Sequence, residues 1–165
     1  MNLKFYFEKL KSSDAFKKFT KENPTAYFCS GFFTIDKEGS DNQRHLDFYI
    51  PESKKMFNFV LNNGVQISQV EIQNEQIPNK LNFNIDFSFE EIEKMIRDEM
   101  EKQGIKNKLQ KIIISLQNIE NRPKLICTVF VSMLGLLKVE IDIKTMKIMV
   151  FEKKSFFDLM KIIKK

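Results

Sequence analysis

His45 and Asp47 are the residues of this chain whose types and spacing come nearest to acid–base chemistry. They lie two residues apart, so on a strand they share one face. A histidine acting as a general base also needs a nucleophile and an orienting acid close to it. A doublet of this kind is rarely catalytic on its own. We therefore predict that His45 is an exposed residue at a strand edge.

Cys29 and Cys127 are the next candidates for chemistry. Each lies among apolar neighbours in the middle of a predicted strand. A reactive thiolate needs an electropositive, partly exposed setting, whereas a free cysteine more often behaves as a small buried hydrophobic residue. Two cysteines also cannot form a disulfide scaffold or a four-thiolate zinc site. We predict two buried thiols.

A run of acidic residues on one predicted helix is the remaining candidate, and no histidine at metal-ligand spacing accompanies it. A solvated helix face is the better interpretation. The sequence also contains no Gly-rich phosphate loop, nucleophile elbow or Walker-type lysine. It therefore predicts no enzyme, no catalytic residue, no cofactor and no metal. The acidic residues are Glu90, Glu91, Glu93, Asp98, Glu99 and Glu101.

Lysine dominates the net charge of +5, because 24 of the 27 basic residues are lysines. Arginine, which suits bidentate phosphate contacts, is scarce. Lysines at helix ends can complement the helix dipole without a ligand. The alternative is a surface that follows the phosphates of RNA, with salt-sensitive affinity. Its candidate residues are Lys102, Lys106, Lys108, Lys111, Lys153, Lys154, Lys161, Lys164 and Lys165.

The composition of the 165 residues, 42% hydrophobic and 30% charged, is typical of one soluble globular domain. No segment approaches the ~18–20 consecutive apolar residues of a membrane span. The first residues lack the apolar core and cleavage site of a secretory signal. These observations favour a cytoplasmic protein without a membrane partner.

The hydrophobic pattern predicts a helix, about four strands, a helix, about four strands and a final helix. Ser88 opens the second helix as part of a capping box, and Asn62-Asn63-Gly64 indicates a hairpin turn. A bulge is expected near Ser68-Gln69 because the apolar positions change parity there. The predicted helices are 3–11, 13–22, 88–103 and about 155–163; the strands are 25–35, 46–50, 56–61, 65–72, 111–117, 125–131, 137–143 and 148–151, with 81–87 as a strand or an extended lead-in.

These elements predict an α+β fold with antiparallel sheet flanked by helices. We expect one compact domain over residues 1–165. A further form of this prediction builds the domain from two similar α-β-β-β halves, 1–73 and 81–165, joined by the polar segment 73–80. It is suggested by the pattern Cys-[Ser/Thr]-x-Phe, which Tyr27–Phe32 and Leu125–Phe130 share.

Residues 88–152, a predicted helix followed by antiparallel strands, resemble the PepSY family and the broader cystatin-like shape. Asp142 and Thr145 match the last hairpin of that family, and Met146 stands where the family has glycine. The resemblance implies a non-catalytic module that binds or inhibits proteins, and it implies no catalytic residues. PepSY-type domains are usually exported, whereas the sequence here shows no export signal.

The leading functional prediction is a non-enzymatic interaction module whose partner is another protein. Its contact surface would be a face or an edge of the sheet, because helices cover only one side of such sheets. Two alternatives stay open. One is an RNA- or ribosome-associated factor that uses the C-terminal lysines, and the other is a small-molecule or enzymatic pocket inside a curved cystatin-like sheet.

Overall fold

Eight antiparallel strands and three helices make up the computed structural model, which describes residues 1–72 and 76–155. The strands form one sheet in the order β4-β3-β2-β1-β5-β6-β7-β8. The elements are α1 (Leu3–Ser12), α2 (Asp14–Glu22), β1 (Tyr27–Asp36), β2 (Arg44–Ile50), β3 (Lys55–Val60), β4 (Gln66–Val70), α3 (Phe89–Lys102), β5 (Leu109–Ile119), β6 (Arg122–Val131), β7 (Gly135–Asp142) and β8 (Lys147–Ser155).

Side-chain caps fix where the helices begin. The side chain of Ser13 accepts a hydrogen bond from the backbone N–H of Phe16, so α2 starts anew directly after α1 ends. Ser88 caps α3 in the same way by accepting from the N–H of Glu91. Such caps satisfy backbone donors that lack a partner within the helix. The predicted two-part N-terminal helix and the predicted start of α3 are confirmed.

All three helices pack on the same face of the sheet. Phe7 of α1 contacts Phe28, with ring centroids 5.4 Å apart, and Phe19 of α2 lies 5.2 Å from Phe59. Phe89 of α3 lies 5.2 Å from Phe33 on the central strand. The hydrophobic core therefore lies between the helices and one side of the sheet, and the α+β class with antiparallel sheet is confirmed.

Residues 81–87 form an extended lead-in to α3 and no strand of the sheet. The backbone N–H of Leu81 donates to Phe28 O, and Phe87 O accepts from the N–H of Leu3. Leu81 and Phe87 are buried in the core. The segment thus lies on the helical side of β1, where Phe83 stacks on Phe28 and Phe87 contacts Phe33.

Two local predictions, a bulge near Ser68 and a helix start at Ser155, were wrong. The pairing of β3 with β4 runs without a break from Met56↔Val70 to Val60↔Gln66, so no bulge occurs near Ser68. Ser155, predicted to open a final helix, is the last residue of β8, because that strand pairs with β7 as far as Gly135. The rest of the predicted C-terminal helix lies outside the described residues.

The sheet consists of two four-stranded meanders, β1 to β4 and β5 to β8, which meet where β1 pairs with β5. The shared Cys-[Ser/Thr]-x-Phe pattern does not fall on equivalent strands. Cys29 lies on β1, the first strand of its meander, and Cys127 lies on β6, the second strand of the other. The pattern therefore gives no support to two similar halves, which stay a prediction.

Candidate functional site

The face of the sheet opposite the core is not covered by any helix of the described residues. Alternation along the central strands places Phe32 of β1 and Ile113 of β5 on this uncovered face. Ile126 and Phe130 of β6 extend it toward β7. Phe32 is 36% exposed, and the other three are half-buried. The molecule therefore presents an apolar strip at the centre of a sheet face.

A cleft of about 740 Å³ lies on this face, at the end where the chain crosses from β4 toward α3. The hydroxyl of Tyr27 donates to Pro78 O at 2.7 Å. The Nδ2 of Asn79 donates to Asn118 O at 3.1 Å, and the Nδ2 of Asn118 donates to Lys80 O at 2.7 Å. These bonds hold residues 76–80 as one wall of the cleft, with β1, β2 and β5 as its floor.

The charged residues that line the cleft are all acidic. Asp47 lies on the floor, and Glu71 and Glu120 lie at other points of the lining. No lysine, arginine or histidine is among the described lining residues. The remaining residues are apolar or neutral polar: Cys29, Ser30, Gly31, Phe32, Met56, Ile72, Gln76, Ile77, Pro78, Asn79, Ser115, Gln117, Asn118 and Ile119.

Asp47 is the centre of a polar network on the cleft floor. Ser30 Oγ donates to Asp47 Oδ2 at 2.8 Å, and Asn58 Nδ2 donates to Asp47 Oδ1 at 2.7 Å. Burial raises the pKa of Asp47, and the two hydrogen bonds act in the opposite direction. The network holds a poorly hydrated carboxyl group at a fixed point of the uncovered face.

Cys29 lies in the β-bulge where the register of β1 against β2 shifts between Phe28 and Ser30. Its Sγ donates to Asp47 O at 3.4 Å. Burial, and next the charge of Asp47, raise the pKa of the Cys29 thiol to about 12. Burial likewise raises the pKa of Cys127 to about 12. The prediction of two buried thiols is confirmed.

His45 shares the uncovered face with Asp47, as predicted, but it is not at a strand edge. β2 pairs with both β1 and β3, so His45 lies inside the sheet and is half-buried. Its Nε2 lies 3.0 Å from Oε1 of Gln43, and burial lowers its pKa. Among the described residues, no hydrogen bond joins its imidazole to Asp47. The pair is therefore not arranged as a catalytic dyad.

The described lysines of the polyanion-binding prediction lie near the opposite end of the sheet. Lys111 pairs with Asp41 at 2.7 Å, and Lys108 Nζ lies 3.8 Å from Glu38. The RNA-binding hypothesis stays a prediction. Lys102 ends α3, Lys106 and Lys108 follow it, Lys111 is on β5, and Lys153 and Lys154 are on β8; Lys161, Lys164 and Lys165 lie outside the described residues.

Two of the acidic residues of α3, Glu93 and Asp98, pair with basic side chains. Glu93 accepts from Arg97 at 2.9 Å and lies 3.2 Å from Lys37, and Lys94 pairs with Asp98 at 2.7 Å. Within residues 1–72 and 76–155, no group of three or more His, Cys, Asp or Glu could hold a metal ion. The same residues contain no helix long and apolar enough to cross a membrane.

Asp142, one of the residues that carries the PepSY resemblance, organises the last hairpin. Its Oδ1 accepts from the N–H of Lys144 at 2.9 Å and of Thr145 at 3.3 Å, and its Oδ2 accepts from Arg122 at 3.0 Å. Met146 has φ 52°, a conformation that glycine adopts without steric penalty. Asp142 and Thr145 therefore have a structural role in the turn, which does not itself test the resemblance.

Comparison with known proteins gives a likeness in fold. No protein-family model matches the chain, and no curated protein matches it. The crystal structure of a protein described as a "putative lipoprotein" from Clostridium difficile 630 is similar, with a TM-score of 0.56 and 12% identity. The likeness covers 86% of this chain and 91% of that one. At this identity it establishes a shared fold, and the description names no enzymatic activity.

Ser30 and Asn58 are the site residues that sequence analysis missed. The period of two along β2 places His45 and Asp47 on one face, as the sequence predicts. The donors to Asp47 come from β1 and β3, and their positions depend on strand register. On β1 the register includes a bulge just before Gly31, and a glycine within a strand is a signal of such a bulge. The polar Ser30 and Asn58 within apolar strands are a second usable signal.

Proposed function

We propose that this protein is a non-enzymatic binding module that receives a partner protein on the uncovered face of its sheet. In this proposal the cleft takes a lysine or arginine side chain of the partner. The observation that carries it is the charge of the cleft: three acidic residues, and no basic residue among its described lining. This is notable because the whole chain is basic, with a net charge of +5.

The geometry of the cleft supports a cationic side chain with an aliphatic stem. Phe32, Met56 and Ile77 supply apolar surface around Asp47. Lysine and arginine bury their methylene stems against such surface and keep the charged head on a polar group. The raised pKa of Asp47 reflects its poor hydration, so pairing with a cation removes little further water from the carboxylate.

A small cationic molecule is the second candidate occupant, because about 740 Å³ falls within the range of roughly 300–1,000 Å³ typical of small-ligand sites. The apolar strip of Phe32, Ile113, Ile126 and Phe130 favours the protein partner. It extends the surface beyond the cleft across β5 and β6, and a small ligand would leave it exposed.

Binding of short peptides to the 15N-labelled full chain tests the proposal. A blocked Gly-Lys-Gly peptide at millimolar concentration should shift the amide resonances of Ser30, Asp47 and Ser115. A blocked Gly-Glu-Gly peptide should not, and Asp47→Asn should remove most of the lysine-dependent shift. Equal shifts with both peptides, or shifts confined to other residues, would contradict the proposal. If free lysine binds as tightly as the tripeptide Phe-Lys-Phe, the small-molecule alternative is favoured instead.

The location of the protein also belongs to this proposal. The sequence favours the cytoplasm, whereas the fold is shared with a protein described as a "putative lipoprotein". The two observations lead to different expectations for fractionation of native cells. Release into the soluble fraction when membranes are washed with high salt would support the cytoplasmic assignment, and retention on membranes after that wash would contradict it.

A further inference from the structure

The turn between β6 and β7 exposes two large apolar side chains. Met133 is 88% exposed and Leu134 is 68% exposed. Met133 is the most exposed large hydrophobic residue in the described part of the chain. Single exposed apolar residues are common on protein surfaces, but here two adjacent ones project from the end of a hairpin. We call Met133 and Leu134 the apolar tip.

The backbone conformation of the turn is also unusual for residues with large side chains. Met133 has φ 65° and Leu134 has φ 55°, in the left-handed region where asparagine and glycine are favoured. The turn between β5 and β6 also has two residues in this region, but there they are the polar Glu120 and Asn121. Folding and solubility would both favour polar residues or glycine at the apolar tip, so its composition points to a contact.

Lysines lie on both sides of the apolar tip. Asn107 Nδ2 donates to Ser132 O at 2.8 Å, and the backbone N–H of Lys108 donates to Ser132 Oγ at 2.8 Å. These bonds hold Lys106 and Lys108 beside the turn. On the other side, β8 pairs with β7 so that Lys154 and Lys153 lie opposite Leu136 and Leu137. We call Lys106, Lys108, Lys153 and Lys154 the lysine flank.

Two carboxylates lie near the lysine flank and do not cancel it. Glu38 lies 3.8 Å from Lys108 Nζ, and Glu152 lies 3.9 Å from Lys154 Nζ. Lys106 and Lys153 are exposed, and no ion pair involves either within the described residues. The lysine flank therefore has a net positive charge next to the apolar tip.

We propose that the apolar tip and the lysine flank together dock this protein on an anionic lipid surface. Met133 and Leu134 would enter the boundary between headgroups and acyl chains, and the lysines would lie at the level of the lipid phosphates. This proposal departs from the sequence-based expectation of no membrane partner, which rested on the lack of an apolar spanning segment and of a secretory signal. RNA fits the tip less well, because proteins stack unpaired bases on aromatic or guanidinium planes, and the tip has neither.

The docking surface is separate from the cleft and does not depend on the proposed function. Strand β6 has ten residues and runs from the end of the cleft to the tip, which at about 3.3 Å per residue is roughly 30 Å. A protein held on a membrane by the tip would therefore present the cleft away from the lipid.

Co-sedimentation of the full chain with lipid vesicles tests the proposal. We expect binding to vesicles of phosphatidylcholine with about 40% phosphatidylglycerol, weaker binding to phosphatidylcholine alone, and a fall in binding between about 50 and 300 mM NaCl. The double variant Met133→Asn, Leu134→Gly should reduce the binding by about tenfold or more. Met149→Asn is the matched control, because Met149 is 57% exposed on β8 away from the tip, and it should bind like the wild type.

A tryptophan reporter gives a second measurement that does not depend on loss of binding. The chain contains no tryptophan, so Leu134→Trp places a single fluorophore at the tip. Its emission should shift to shorter wavelength on the anionic vesicles and should shift less on phosphatidylcholine vesicles at the same lipid concentration.

Three outcomes would overturn the proposal. The wild type could fail to bind the anionic vesicles, or the tip variant could bind them as well as the wild type, which would assign the binding to lysines alone. A single-stranded RNA that binds wild type and tip variant equally, and that displaces the protein from vesicles, would assign the lysine flank to nucleic acid.

Discussion

The hydroxyl of Ser30 donates to the carboxylate of Asp47 at 2.8 Å across the β1–β2 pair, one residue beyond the bulge at Cys29. The bulge shifts the register so that Ser30 lies directly opposite Asp47. Asn58 completes the arrangement from the other side. Three strands thus fix one carboxylate on the uncovered face, and the chemistry of the cleft depends on how that carboxylate is solvated.

Replacing Asp47 by Asn should stabilise the protein near neutral pH. Burial raises the folded-state pKa of Asp47, so the folded protein holds the proton more tightly than the unfolded chain. Stability from this group is therefore present at low pH and is lost as pH rises through the folded-state pKa. We expect the difference in free energy of unfolding, Asp47→Asn minus wild type, to grow between about pH 3 and pH 7. Urea denaturation at both pH values measures it, and a difference that shrinks with rising pH would contradict the assignment.

Removing the Ser30 hydroxyl should destabilise the wild type more than it destabilises the Asp47→Asn variant. Ser30→Ala leaves a charged acceptor short of one donor, which costs about 1–3 kcal/mol at pH 7. In the Asp47→Asn background the loss should be smaller, because a neutral amide needs less compensation. A double-mutant cycle by urea denaturation measures the coupling.

Ser115→Ala is the control for that cycle. Ser115 lies on the same face but accepts from Gln117, at 2.8 Å, and not from Asp47. Its effect should stay within about 0.5 kcal/mol in both backgrounds. Equal losses for Ser30→Ala with and without Asp47 would show that the hydrogen bond contributes nothing specific.

Neither thiol of the folded protein should react with a disulfide reagent such as DTNB at pH 8. Burial raises the pKa of both Cys29 and Cys127 to about 12, and only the thiolate is the nucleophile. In guanidinium chloride both should react, which gives the total of two. The variant Cys29→Ala separates the two sites. If one thiol of the native wild type reacts fast, and this reaction is absent in Cys29→Ala, then Cys29 is accessible and the prediction is wrong.

Local signals in the sequence predicted local structure well. Ser88 announced the start of α3, and Asn62-Asn63-Gly64 announced a turn in which Gly64 has φ 69°. The alternation along β2 placed His45 and Asp47 on one face. Each of these depends on contacts between residues close in sequence, where propensity and side-chain period carry the information.

The cleft could not be predicted because it depends on contacts between distant segments. The pairing of β1 with β5 joins Ser30 to Gln117, and the wall at residues 76–80 is held by Tyr27 and Asn118. The bulge at Cys29 decides which side chains reach Asp47, and Gly31, two residues away, signals a bulge without fixing its position. The prediction of His45 at a strand edge was wrong for the same reason, because the order of strands in a sheet depends on contacts between distant segments.

The two residues of the apolar tip should lower the free energy of unfolding of the protein. A left-handed conformation costs a residue with a side chain roughly 1–2 kcal/mol, and Met133 and Leu134 both adopt it. Met133→Asn with Leu134→Gly should therefore raise the free energy of unfolding by about 1–2 kcal/mol, while the vesicle binding of the same protein falls. Met149→Asn, an exposed substitution that relieves no such strain, should stay within about 0.5 kcal/mol of the wild type. Urea denaturation measures all three proteins, and a loss of stability in the double variant would mean that the tip side chains pack in the folded protein.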